Sequence, residues 1–192
     1  MPIRTPRLLI RPKQHGDGAL TAAAVMETWE ELHRWMRWAE TPDDFSPERM
    51  EIRTRQMMAS FLRREVIELI GIETASGQPV IWCGFHDIDW SAGICDTGCW
   101  VRKTAQNRGF AFEAENALVR YAFGQLQMHR IGLTHSAGNE ASRRVAEKLG
   151  FTREGIQRAA NLLPGGRVAD RYCYARFDTV GMPDLEVTWP SP

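Results

Sequence analysis

The residues best suited to hold a charged ligand stand in Gln106-Asn107-Arg108-Gly109-Phe110-Ala111. This stretch follows an apolar segment at 99–102 with strand character. It runs into residues 112–122, where Ala111, Ala114, Leu118, Tyr121 and Ala122 recur at helical spacing and make one apolar face. A helix start carries unpaired N–H groups and the positive end of the helix dipole. Gly109 lets the backbone approach a ligand closely, and small Ala111 keeps the first turn open. Such a layout can hold a phosphate or pyrophosphate, with Arg108, Arg102 or Lys103 adding charge. It also describes a plain strand-to-helix turn. No Gly-Lys-Ser/Thr follows, and the second and third glycines of a dinucleotide fingerprint are missing, so those two phosphate loops are excluded.

Around this stretch lie three further segments. Asn139-Glu140-Ala141-Ser142 precedes Leu149-Gly150-Phe151, Thr5-Pro6-Arg7-Leu8-Leu9-Ile10-Arg11-Pro12 opens the chain, and Leu32-His33-Arg34-Trp35-Met36-Arg37-Trp38-Ala39 lies between. Together with Gln106-x-x-Gly109-x-Ala111 these resemble, in order, the motifs of the GNAT superfamily of N-acetyltransferases, and of its RimJ/RimL-like branch in particular. The resemblance implies an α+β fold: a mostly antiparallel twisted sheet of about seven strands, splayed at a central parallel pair and flanked by helices. It implies one domain over residues 1–192, with acetyl-coenzyme A as co-substrate and no metal. Backbone groups of Gln106, Asn107, Arg108, Gly109, Phe110 and Ala111 are then expected on the pyrophosphate. Those of Trp100, Val101 and Arg102 are expected along the pantetheine arm, with Asn139 reaching the arm as well or serving only as a helix cap.

Acetyl transfer from a thioester to an amine needs a held cofactor, a neutral amine, a polarised carbonyl and a stabilised leaving thiolate. Most of the superfamily offers a tyrosine before the Gly-Phe pair as general acid; Lys148-Leu149 stands there instead. The resemblance passes that role to Ser142, which could equally be a capping serine. Where a glutamate base is expected near the last hairpin stands Asn161, which cannot accept a proton. The remaining candidates for the base are Asp96, His135, Glu27, Glu30, His86 and Asp87, and imidazole is the side chain suited to proton transfer near neutrality. Trp35, Trp38 and Glu30 are expected to border the acceptor site, although the tryptophans also suit core packing. Glu27, Glu30, Glu31, Glu40, Asp43 and Asp44 make either an acidic cleft or solvated helix and loop faces.

These groups need a scaffold, and its elements are legible in outline. A strand at 8–10 ends at Pro12, and a helix near 18–26 is capped by Asp17. A second helix spans about 30–38, and a third starts at Ser46-Pro47 and runs to about 64. Strands at 66–73, 79–90 and 94–101 form an antiparallel meander into the phosphate-type loop. A long helix at 109–127, a strand at 130–135, a helix at 140–149 and two closing strands joined at Leu163-Pro164-Gly165-Gly166-Arg167 complete the chain. Three prolines after Gly181 suggest a loosely held tail.

At 192 residues the chain is long enough to bury a sizeable core. Its formal net charge of zero argues against a general polyanion binder. The four cysteines, Cys83, Cys95, Cys99 and Cys173, lack a zinc-site partner pattern and read as buried free thiols in a reducing cytoplasm. There is no apolar leader and no stretch long enough to span a membrane. The expected activity is direct attack by a primary amine on acetyl-coenzyme A. The acceptor is either a protein or peptide N-terminus or a small amine, no nucleic acid or membrane partner is expected, and a homodimer is a family expectation. Two alternatives remain: a coenzyme A-binding sensor without catalysis, and transfer of a larger acyl group such as succinyl.

Overall fold

The computed structural model describes residues 2–190. Eight strands form one sheet in the order β1-β2-β3-β4-β5-β6-β8-β7. They are β1 (Ile3–Arg4), β2 (Leu8–Pro12), β3 (Ile67–Glu73), β4 (Pro79–Asp89), β5 (Ile94–Val101), β6 (Arg130–Ser136), β7 (Thr152–Leu163) and β8 (Arg167–Arg176). The five helices are α1 (Asp17–Glu27), α2 (Trp29–Trp35), α3 (Pro47–Leu62), α4 (Phe110–Gly124) and α5 (Glu140–Lys148). All strand pairs are antiparallel except β5 with β6. The α+β class, the meander and the central parallel pair are those expected, with one short strand more.

Side chains alternate across a strand, so the sheet has two dissimilar faces. On one face Ile81, Cys83, Phe85 and Cys95 pack against Ala114, Ala117, Leu118 and Ala122 of α4. The small residues of α4 let the helix lie close to the sheet, and each of these four is fully buried. On the other face Trp82 packs with Ala24 and Ile70, and its indole N–H donates to Thr21 Oγ1 of α1 at 3.0 Å.

The parallel pair is short. Ile94 pairs with Arg130, Cys95 with Ile131 and Asp96 with Gly132, and there the pairing stops. Beyond it β5 stays with β4 and β6 with β8. The two strands therefore diverge into a fork whose open end points toward the starts of α4 and α5.

Several local expectations are refined. Gly16, at φ 93°, precedes α1, so Asp17 is its first residue rather than its cap; its carboxylate instead takes a bidentate bond from Arg11 at 2.7 and 2.9 Å. The second helix ends at Trp35 because Met36 is extended, and the His33 ring nitrogen bonds the Ala39 carbonyl at 2.8 Å to hold the turn. Residues 182–189 are not loose: Thr188 exchanges backbone bonds with Arg4 at 2.7 and 2.9 Å, and Trp189 meets Tyr121 of α4 edge-on. Apolar Met182, Leu185 and Val187 outweigh the prolines in this segment. Among the described residues no helix is long and apolar enough to cross a membrane.

Candidate active site

The loop before α4 has a backbone shaped for an anion. A single 3-10 turn at Lys103–Ala105 leads to Asn107 at φ 59° and Gly109 at φ 86°. Left-handed residues in such a loop turn N–H groups into a concavity. Gly109 holds the capping position of α4 and no side chain caps the helix, so its first N–H groups are left for a ligand. Asn107, Arg108 and Gly109 are exposed, Ala111 and Gln106 are half-buried, and Phe110 is fully buried and anchors the helix start.

Two guanidinium groups flank this loop. Arg7 Nη1 donates to the Arg108 carbonyl at 2.9 Å, Arg7 Nε donates to Glu113 at 2.6 Å, and the group lies over the Phe110 ring. A Cβ at Gly109 would come within 3.4 Å of Arg7. Arg108 bonds Glu73 and covers the same ring at 4.9 Å. The bond from Ser76, followed by the charge of Arg108, lowers the pKa of Glu73 below the usual range. Residue spacing gives no signal for Arg7 as a ligand group, because only the fold carries residue 7 to residue 109. By contrast Arg102 is tied to Glu27 at 2.6 Å and turns away from the loop.

Along the open arm of the fork the strand periodicity decides which backbone groups are free. The Arg102 N–H donates to Val80 O at 2.9 Å, and Trp100 stands opposite Trp82. Amides of even-numbered residues on this arm therefore turn to β4, and those of Cys99 and Val101 turn to the fork. The expectation that Trp100 and Arg102 line the arm with backbone groups is corrected for that reason, whereas the amide of Val101 faces the fork. Gln106 Nε2 already donates to Val101 O at 3.2 Å.

At the start of α5, Asn139 Oδ1 accepts the Ser142 N–H at 3.2 Å. Asn139 is thus the cap. The Ser142 hydroxyl, half-buried, is not engaged within the described residues and can donate elsewhere.

The vertex of the fork brings titratable groups together. Asp96 lies opposite Gly132 on β6 and opposite His86 on β4, on the α1 face. A Cβ at Gly132 would fall 2.1 Å from Asp96 Oδ1, so the carboxylate could not keep its position beside one. His86, Asp87 and Asp96 bring side-chain donor atoms within 4.8 Å of one another. Burial raises the Asp96 pKa, His86 opposes that shift, Asp87 adds to it, and Arg130 and Arg171 oppose it.

His135 is not brought to this place. It occupies the opposite, α5-facing side of β6, 6% exposed, stacked between Tyr172 and Tyr174. Its Nδ1 bonds the Ser136 carbonyl at 2.9 Å. Strand alternation separates it from Asp96, and its buried Nε2 has no partner among the described residues.

On the α1 face strand register places Trp100, Ser136 and Arg171 on one side of the fork. A Cβ at Gly138 would lie 3.6 Å from the Trp35 ring. Trp38 stands farther out, 6.3 Å from Trp100, which stacks on Trp82 at 4.2 Å. Glu30 is turned away: its carboxylate is 82% exposed and 3.8 Å from Lys103. Nor do the acidic residues form a cleft. Glu27 bonds Arg102 and Thr104, Glu31 faces Lys103, Glu40 accepts from Gly165 N, and Asp44 pairs with Arg49.

A further carboxyl that sequence reasoning passed over, Glu115 of α4, is fully buried on the opposite face of the sheet. It accepts from Thr97 Oγ1 at 2.8 Å, and its other oxygen has no partner among the described residues. Burial pushes its pKa up to about 7. Its position within a helix whose neighbours are apolar was its only signal.

The sequence model described as "Acetyltransferase (GNAT) domain" matches residues 7–152. A putative ribosomal N-acetyltransferase of Bacillus subtilis, YdaF, is 29% identical over 153 residues, covering 78% of this chain and 79% of that protein. The fold superposes on a ribosomal-protein-S5-alanine acetyltransferase from Vibrio fischeri with a TM-score of 0.84 at 18% identity, over 95% of this chain and 100% of that one. It superposes on RimL, a ribosomal L7/L12 alpha-N-protein acetyltransferase solved with coenzyme A, with a TM-score of 0.82 at 20% identity, over 91% and 96%.

Proposed function

Because this chain belongs to the GNAT acetyltransferase family, we propose that it moves an acetyl group from acetyl-coenzyme A to a primary amine, the N-terminal amine of a polypeptide. The observation that carries this is the fork between β5 and β6, opening onto an uncapped helix start with left-handed residues before it. The printed names of relatives, a ribosomal N-acetyltransferase and ribosomal-protein acetyltransferases, favour a protein acceptor.

Acetyl-coenzyme A supplies the activated thioester, so neither a metal nor a cysteine nucleophile is required. The residues present fit it. The N–H groups at 109–111 offer a pyrophosphate cradle, with Arg7 and Arg108 supplying positive charge. Cys99 and the N–H of Val101 turn strand groups to the fork, where an amide-bearing arm can pair with them. Asp96, at the vertex and partly desolvated, accepts the proton that the amine must lose, directly or through one water. Ser142, its hydroxyl free and its helix start favouring negative charge, donates toward the leaving thiolate. Cys83, Cys95 and Cys99 take no part as thiolates, because burial raises all three thiols, Cys95 to about 12.

The test combines thiol release with mass spectrometry, using acetyl-coenzyme A and peptides of varied N-terminus beside polyamines and amine antibiotics. Gly109→Glu should abolish coenzyme A binding. Ser142→Ala should slow transfer by about 100-fold, the scale of general acid catalysis. Coenzyme A binding with no acceptor modified would overturn transfer to an amine, and unchanged rates in Ser142→Ala would remove the acid assignment.

A further inference from the structure

The acceptor side of the fork carries a cation without an anionic partner. Arg171 of β8 stands opposite Ser136 of β6, and Ala175 of β8 stands opposite Gly132. Alternation therefore puts Arg171 on the same face as Asp96, and its charge acts on the Asp96 carboxyl. A short polar chain fixes the guanidinium. Arg171 Nε donates to Asn161 Oδ1 at 2.8 Å and Nη2 donates to the Ala160 carbonyl at 2.8 Å, while Asn161 Nδ2 donates to Ser136 Oγ at 2.7 Å. Ser136 is 4% exposed.

Among the described residues no carboxylate lies within ion-pairing distance of Arg171, whereas Arg7, Arg11, Arg102, Arg108 and Arg130 each have one. A guanidinium has five N–H donors in a fixed fork, and two are spent here, both on one side. A half-buried charge held rigid with its other donors unspent is arranged for an anion that arrives from outside.

We infer that Arg171, positioned by Asn161 and Ser136, binds a carboxylate of the acceptor, so that the preferred polypeptide N-terminus carries Asp or Glu within its first two residues. This rests on the acetyltransfer reading for the word acceptor, but the subsite itself can be tested without turnover. Peptides beginning Ser-Asp and Ser-Glu are compared with their Ser-Asn and Ser-Gln twins. Binding of the N-acetylated forms is measured by calorimetry with coenzyme A present, and acetylation of the free forms is followed in parallel.

Wild-type protein should bind the acidic peptides about tenfold more tightly than their neutral twins, a modest share of what a charge-assisted pair can contribute. High salt should shrink that preference. Arg171→Gln should erase it, Arg171→Lys should keep part of it, and Asn161→Ala should weaken it without lowering affinity for the neutral twins. The salt response needs no variant and stands if Arg171→Gln fails to fold. Equal binding of the twins by wild-type protein, or an undiminished preference in Arg171→Gln, overturns the subsite. Acetylation of both twins alike also overturns it and leaves acetyl transfer standing. A binding preference without acetylation supports the subsite and counts against transfer.

Discussion

Glu115 is a carboxyl that the surrounding residues protonate rather than pair. In the folded chain its pKa is pushed up to about 7, against the ordinary value of 4.5 in an unfolded one. The folded state thus holds a proton that the unfolded state has released. Its contribution to stability is full below about pH 4.5 and is lost as pH rises through about 7. Each tenfold gain in proton affinity is worth roughly 1.4 kcal/mol, so the loss is a few kcal/mol at most. Glu115→Gln should therefore unfold at nearly the same urea concentration at pH 5 and pH 8, where the wild type weakens. Parallel behaviour of the two would show that Glu115 does not titrate in this range. As the proposed base, Asp96 would work in the other role, since only an ionised carboxyl accepts a proton. Because burial raises its pKa, the wild-type rate should fall on the acid side, and Asp96→Asn should slow transfer and lose that acid limb. An unchanged pH profile in Asp96→Asn would assign the base elsewhere.

At the scale of elements, the fork matters more than any single strand. It exists because β5 keeps β4 and β6 keeps β8 after only three shared pairs. Its vertex depends on Gly132. In Gly132→Ala the new methyl group would meet the end of the Asp96 side chain, which can rotate away. The expected result is a large fall in kcat with coenzyme A affinity and melting temperature little changed. A matched loss of cofactor binding would mean that the fork itself had closed. The capping of α4 was legible from Gly109 and its surroundings, and the α5 cap from Asn139. The end of α2 was not, because Met36 and Trp38 continue an apolar helical pattern that only the turn at Ala39 interrupts.

The whole molecule is closed by contacts between its ends. Residues 182–189 run back to β1 and α4, so the last segment braces the helix whose start forms the cradle. Trp189→Ala removes a half-buried aromatic ring from Tyr121 and should cost about 1–2 kcal/mol of stability, measured by urea unfolding. No measurable loss would make the brace incidental. On the other side the β7–β8 hairpin is tied to α2: Arg167 donates to the Arg34 carbonyl at 2.8 Å, and Gly165 N donates to Glu40 at 3.0 Å. Both ties join the tip of this hairpin to α2 and the loop after it.

The order of elements, the meander and the glycine-bearing loop before α4 are all legible along the chain, since hydrophobic period, capping residues and glycine positions act over a few residues. Gly109 at the start of α4 and Asn139 as the cap of α5 could be located because helix ends are set locally. Which face of the sheet a residue occupies, and what comes back to it from 100 positions away, emerges only on folding. Folding puts His135 behind the sheet and Asp96 at the vertex, brings Arg7 to Gly109, and leaves Arg171 without an ion-pairing carboxylate among the described residues. Strand register and long-range pairing fix these neighbours, and neither is written in the spacing of residues along the chain.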